Sequence, residues 1–328
     1  MQELIDLLTG AGREIFGPAT AAFALAAIGL NVHFGLTGLL NMGHAGFMLL
    51  GMYGYAITVR ETGNMWLGIL AATVAAIVFG LLLGWPTLKL RGDYLAIVTI
   101  AASEFVRFLG RSQVFKDLTG GSTGIRGTDF KEPFESLSPF PDKLVTIGPF
   151  TMHGSRSSSW WLVVVAWVIV GLFALLFWRL ANSPWGRVLK GIREDEDAVR
   201  SLGKNVYAFK MQALVLGGVI GAFGGVLFAL ANAVQPDSMG RPTTFWVWTL
   251  LLLGGAATVF GPILGSILFW VSLVTVRGLA GWFIPENVMS ATEREPFSLV
   301  LVGITLMCLV VFRPQGILGN KRELVISG

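Results

Sequence analysis

This chain is poor in cysteine, histidine and charge. Cys308 is its only cysteine, so neither a disulfide framework nor a thiolate metal site is available. With three histidines, His33, His44 and His153, and no clustered carboxylates in the apolar stretches, metal or nucleophilic catalysis has few residues to use. No G-x-x-x-x-G-K-S/T run occurs, so the chain has no phosphate-cradling loop of its own. Charged residues make up 13%, where soluble domains run near a quarter. Apart from Glu104 the apolar stretches have almost no carboxylates, and a proton-coupled carrier needs several. The opening residues mix Glu3, Asp6, Arg13 and Glu14 and lack a basic n-region, so the first apolar stretch is expected to stay as an anchor.

What is abundant is apolar length. The 328 residues are 54% hydrophobic, with a mean hydropathy of +0.69. A helix of about 20 apolar residues crosses the hydrocarbon core of a bilayer. Candidates are 15–34, 38–59, 65–85, 94–109, 160–180, 211–234, 243–282 and 297–312. The predicted fold is an all-α polytopic membrane bundle, one transmembrane domain over residues 1–328. The 42 glycines run through the spans. Gly217, Gly221 and Gly225 make a small-xxx-small face, and Gly80/Gly84 and Gly261/Gly265 repeat its spacing, which suits close helix packing.

Charge then orients the chain. The net charge of +4 fits a positive-inside bias without any nucleic-acid role. The loop 182–210 holds Arg187, Lys190, Arg193, Arg200, Lys204 and Lys210, which places it in the cytoplasm. Arg313, Lys321 and Arg322 place the tail there too, while the acidic 280–295 segment reads as external. These sides agree only if 243–282 crosses twice, broken near Phe260-Gly261-Pro262, where Pro removes a donor and Gly accepts unusual dihedrals. Lys89 and Arg91 then fall inside. The stretch 114–159, with five basic and five acidic residues, becomes an ordered external cap. The count is nine spans with an external N-terminus, within a range of eight to ten because residues 36–53 also suit a re-entrant segment.

The 182–210 loop reads as two short helices. Ser183 is an N-cap and Pro184 opens the first turn. Trp185, Val188, Leu189 and Ile192 make its apolar face. The second helix opens on Asp195–Asp197, carries Arg200 late and stops at Gly203, an order that complements the helix dipole.

SPWGRVLKGIREDEDAVRSLGKNV resembles the cytoplasmic loop of LivM-type permease subunits of branched-chain amino acid ABC importers. LNMGHAGFMLLGMYGY, LKLRGDYLAIVTIAASEFVR, LTGGSTGI, LLGGAATVFGPILGS and FRPQGILG resemble further family blocks in the same order, over nearly the whole chain. Urea and short-amide permeases share much of the pattern. The resemblance implies a bacterial inner-membrane subunit that hydrolyses nothing and binds no cofactor. ATP and Mg belong to two cytoplasmic ATPase subunits, and a second, LivH-type permease subunit and an external solute-binding protein complete the importer. It implies ATPase coupling through Ser183, Arg187, Arg193, Glu194, Asp195, Glu196, Asp197, Ala198 and Gly203. Against the general E-A-A-x-x-x-G coupling pattern, Asp197 replaces an Ala and one extra residue precedes Gly203.

Three further places hold candidate residues. His44 and Asn41 in the Gly-rich LNMGHAGF run, Glu104, and the Gly261-Pro262 break are substrate-pathway candidates. Glu104 lies one turn from Arg107, which also suits a local ion pair. Thr119, Gly120, Gly121 and Gly124 are candidates for an external gate or binding-protein contact, or for a plain glycine turn. An ion-coupled secondary transporter and a membrane enzyme are the rival classes.

Overall fold

A computed structural model describes residues 2–89, 92–148, 150–156, 159–283, 293–312 and 315–319. Arg91, Arg313, Lys321 and Arg322, used above for orientation, lie outside the described residues, as does most of 280–295. The helices are α1 (Gln2–Ile15), α2 (Pro18–Asn31), α3 (His44–Thr62), α4 (Met65–Thr87), α5 (Gly92–Arg111), α6 (Lys116–Thr119), α7 (Glu132–Glu135), α8 (Trp160–Asn182), α9 (Pro184–Glu194), α10 (Glu196–Ser201), α11 (Val206–Ala231), α12 (Arg241–Gly254), α13 (Gly261–Phe283) and α14 (Arg294–Phe312). Between α7 and α8 an antiparallel hairpin pairs β1 (Leu144–Ile147) with β2 (Phe150–His153), Leu144 opposite His153.

Five helical stretches are long and apolar enough to cross a membrane: 9–36, 65–87, 160–182, 206–231 and 261–282. Their burial separates two roles. The α2 stretch is apolar all round and buried, which marks a central helix; its alanines let α8, α11, α12 and α13 close on it. By contrast α4 and α8 bury one stripe and turn Leu70, Val74, Leu82, Val168, Leu172 and Leu175 outward, as lipid-facing helices do. Exposed Trp66 and Trp85 mark the two ends of α4 about 28 Å apart along the axis, close to the thickness of a hydrocarbon core.

Side-chain and turn contacts define two ends of the bundle. At the loop end, Arg193 meets Gly35, Tyr207 meets the Trp85 carbonyl, and Lys89 sits over the Tyr207 ring. At the opposite end, here called the crown, Arg60 meets the Asp117 carbonyl, Ile125 pairs with Val234, and Arg107 meets Asp237. Helices α5 and α12 therefore run between the same two ends as the five apolar stretches, and α3 runs from the bundle interior at His44 to the crown. Residues 36–53 are not re-entrant: α3 begins only at His44 and continues to Thr62 at the crown. The 112–156 segment forms the crown itself, with short helices and the hairpin, and Trp160 and Trp161 at the start of α8 donate to carbonyls of Val145 and Phe134.

The 243–282 stretch is two helices, as the charge argument requires. The interruption is residues 255–260, slightly earlier than expected, with Gly255 at φ 113° and Ala257 at φ 64°; Gly261 and Pro262 are the first residues of α13. Thr258 Oγ1 donates to the Gly255 carbonyl and accepts from Gly261 N, which caps the new helix. The carbonyls of Leu253 and Gly254 accept from Ile317 N at 3.0 Å and Leu318 N at 2.9 Å. The tail so satisfies acceptors that the break leaves open, each worth about 1–3 kcal/mol if buried unpaired, and the tail and the break share the loop end.

Candidate functional site

The loop 182–210 folds as its caps dictate. Ser183 Oγ accepts from Gly186 N, and Asp195 Oδ1 accepts from Ala198 N at 3.0 Å. Gly203 at φ 76° follows the end of α10, where a side chain would strain the backbone. Leu189, Ile192 and Val199 are buried against the bundle, whereas Trp185 and Val188 are half-buried. Outward go Glu194, Asp197, Ala198 and Arg200. Ion pairs stiffen the unit: Arg200 reaches Glu196 at 2.9 Å and Asp197 at 2.7 Å, and Lys210 of α11 pairs with Glu196. Arg187 donates to the Asn182 carbonyl at 3.3 Å. The loop is thus a firm knob at the loop end, bordered by cavities of about 340 Å³ (Thr37, Leu95, Arg193, Lys210) and about 400 Å³ (Lys89, Lys204, Tyr207).

Asn41 and His44 sit in the bundle interior, both fully buried. The non-helical turn before α3 exposes backbone groups that lipid cannot satisfy, and protein side chains do it instead. Met42 N donates to Thr99 Oγ1 of α5, Ala45 N to Thr244 Oγ1 of α12, and Trp248 Nε1 to the Asn41 carbonyl. Asn41 Oδ1 accepts from Gly43 N, and its Nδ2 donates to His33 Nδ1 at 3.1 Å. His33 Nε2 faces the Leu214 carbonyl at 2.9 Å, so this network assigns the proton to Nε2 of a neutral ring. The His44 ring packs edge-on to His33 at 5.4 Å beside the Ala26 carbonyl, without a hydrogen bond of normal geometry on either nitrogen. His33 carries a role that sequence reasoning missed, because the non-helical turn that brings Asn41 back onto it leaves no periodic signal.

Glu104 lies toward the crown end of α5 within a set of charges. Arg107 holds it with Nη2 at 2.7 Å and Nε at 3.1 Å, and reaches Asp237 with Nη1 at 2.6 Å. Arg111 meets the same Asp237, and Arg241 approaches Glu104 at 3.9 Å. The local ion pair read from the sequence is therefore present, joined by partners far along the chain. Thr119, Gly120, Gly121 and Gly124 form a tight turn beside it. Thr119 Oγ1 donates to the Gly110 carbonyl, and the three glycines have positive φ. A Cβ at Gly124 would lie 1.8 Å from the Val234 carbonyl oxygen, so the turn seats directly on the segment that follows α11. Next to it opens a cavity of about 710 Å³ lined by Lys131, Glu132, Glu135, Arg156 and Asn232. Burial pushes the Lys131 pKa below its ordinary 10.5, and Glu135 partly offsets this.

Gly261 and Pro262 lie at the loop end beside Asn31, whose side chain accepts from Ala257 N and donates to the Thr258 carbonyl, both at 2.8 Å. Ala257 is the single non-glycine residue with positive φ among the described residues, a conformation that costs about 1–2 kcal/mol and persists because its surroundings hold it. Among the described residues no group of three or more His, Cys, Asp or Glu is placed to hold a metal.

Comparison with known proteins agrees with this architecture. The family profile for the branched-chain amino acid transport system permease component matches residues 19–310. The permease protein LivM of the high-affinity branched-chain amino acid transport system of Escherichia coli is 32% identical, with 92% of this chain and 69% of that protein aligned. LivH from the same organism is 23% identical over 94% of this chain and 95% of its own length. The nucleoside ABC transporter permease NupC of Lactococcus lactis is 25% identical over 85% and 86%. The chain is a multi-pass membrane protein and belongs to the branched-chain amino acid transport system permease family, as a LivM-type member.

Proposed function

We propose that this chain is one of two related permease subunits of an ATP-driven importer in the bacterial cytoplasmic membrane, and that it carries branched-chain or other small apolar amino acids. The loop end faces the cytoplasm and the crown faces outward. Two cytoplasmic ATPase subunits, which bind the ATP and Mg, close against the α9–α10 knob. An external solute-binding protein delivers substrate to the crown, where the 119–124 turn and the Glu104–Arg107–Asp237 set lie. Membrane lipid surrounds α4 and α8. The observation that carries this reading is the knob itself: two capped helices, ion-paired within and anchored by buried Leu189, Ile192 and Val199, can accept a push without collapsing. Its motion tilts α8 and α11, which continue from either side of it.

Replacing 194–197 with Gly-Ser residues tests the coupling role. ATP-dependent uptake should be abolished while the protein stays inserted; normal uptake would sink the assignment. The solute is tested by competition uptake in the complete importer. Leucine and valine should compete with each other, whereas competition by urea or a nucleoside alone would move the chain to the short-amide reading or to one like NupC.

A further inference from the structure

The break between α12 and α13 is far from the knob in sequence, yet a direct line of contacts joins them. Arg193, in the last turn of α9, keeps its side chain 15% exposed despite its charge. Its Nη1 donates to the Gly35 carbonyl at 2.6 Å, while Nη2 and Nε hold Glu194 at 2.7 and 3.1 Å. That carbonyl is open because the helix after α2 ends in a π-turn, Val32–Leu36, and the next amides go elsewhere: Gly38 N to Phe34 O, and Leu39 N to His33 O. A charged donor on a helix-end carbonyl makes a short, strong bond. Gly35 in turn lies flat on the Asn31 side chain. A Cβ there would fall 2.0 Å from Asn31 Oδ1 and 2.7 Å from Ala257 N. Asn31 grips both Ala257 N and the Thr258 carbonyl, so it holds the backbone on either side of the 257–258 peptide.

We propose that Arg193 and Asn31 are positioning residues that carry movement of the α9–α10 knob into the α12–α13 break, through Gly35, and so set the opening of the loop-end mouth. This rests on the coupling role proposed for the knob. The knob is joined by chain to α8 and α11, and those helices tilt with it in any case. The clasp adds a second route, to a segment with no continuous helical ladder to resist bending. The two-point hold on the peptides flanking the 257–258 bond, at the positive φ of Ala257, makes that segment a place where two backbone arrangements can exchange.

The test uses the complete importer in liposomes, in a Cys308→Ser background with Phe260→Cys, since Phe260 is 68% exposed in the break. In this parent, ATP turnover should change the rate of thiol labelling at position 260. Arg193→Gln and Asn31→Ala should each remove that change and lower uptake by roughly 2- to 30-fold, the range seen for residues that carry coupling, and Asn31→Ala, which lies away from the knob, should leave ATP hydrolysis running. The double variant should be no worse than the more damaging single one, because both cut one route. Arg193→Lys, which keeps the charge, and Asn31→Asp, which keeps the acceptor for Ala257 N, should give intermediate uptake; this separates lost transmission from misfolding. Arg193→Gln with intact uptake and intact ATP-dependent labelling overturns the proposal. So does a parent whose labelling ignores ATP although loop replacement abolishes uptake, an outcome that leaves the coupling reading standing. Normal uptake after loop replacement removes the coupling reading, and this one with it.

Discussion

Gly225 sits where α11 crosses α3, and adding one methyl group there should measure how tightly the interior is built. A Cβ at 225 would lie 2.0 Å from the Met48 carbonyl oxygen and 2.7 Å from its carbon, where ordinary contact begins near 3.4 Å. Both obstacles are backbone, so no side chain can swing aside, and the helices must part by about an ångström or more. Parting them also loosens Gly218 against Phe47 and Gly221 against His44, which lie on the same seam. Gly171→Ala on α8 is the control, because nothing lies within 4 Å of a Cβ at that position. Both changes gain the same helix-propensity term, so their difference isolates overpacking. It should approach the upper end of about 1–3 kcal/mol. Unfolding of the purified protein in mixed detergent micelles, followed by helical circular dichroism, reads the difference. If Gly225→Ala matched Gly171→Ala within about 0.5 kcal/mol, the seam would not be closed as described.

Cysteines placed at Leu202, Phe260 and Val114, all well exposed, should report sidedness in a Cys308→Ser background. Leu202→Cys and Phe260→Cys should label from one face of the membrane and Val114→Cys from the other; labelling of Phe260→Cys with Val114→Cys would refute the double crossing. At the crown, Arg107→Met should destabilise by about 1.5–3 kcal/mol, the range for hydrogen bonds to charged groups, since half-buried Glu104 would keep only Arg241 at 3.9 Å. Adding Glu104→Gln should recover part of that loss in the same unfolding assay; strict additivity would mean the pair is not coupled. Lys131→Met should stabilise the protein at neutral pH, because burial lowers the folded pKa of the lysine and the unfolded chain then binds more protons. Wild-type stability should therefore climb toward the variant's as pH rises toward 10.5, and a gap that widens with pH would contradict the assigned cause.

Local chemistry made much of this molecule legible in the sequence. Ser183, Pro184, Asp195 and Gly203 carry cap and stop signals that act within a turn of themselves, so α9 and α10 emerge where those residues put them. Gly217, Gly221 and Gly225 likewise mark a close approach through spacing alone. The Glu104–Arg107 pair is one helical turn and was readable, but Asp237 and Arg241 join it from another part of the chain. The β1–β2 hairpin was hidden because four-residue strands in a polar segment leave little periodicity to detect. The start of α3 at His44, later than an apolar run suggests, depends on Thr99, Thr244 and Trp248 serving the turn before it. The Asn31 clasp joins residues whose meeting only the fold decides.

The seat of residues 315–319 on the end of α12 has a consequence for biogenesis. The acceptors of Leu253 and Gly254 find their donors in Ile317 and Leu318, which leave the ribosome only after α13 and α14. The junction around Ala257 therefore stays unfinished while α13 and α14 are made, and residues 315–319 act as its latch. A release or truncation before Gln315 should yield a chain that inserts its spans yet leaves this junction open.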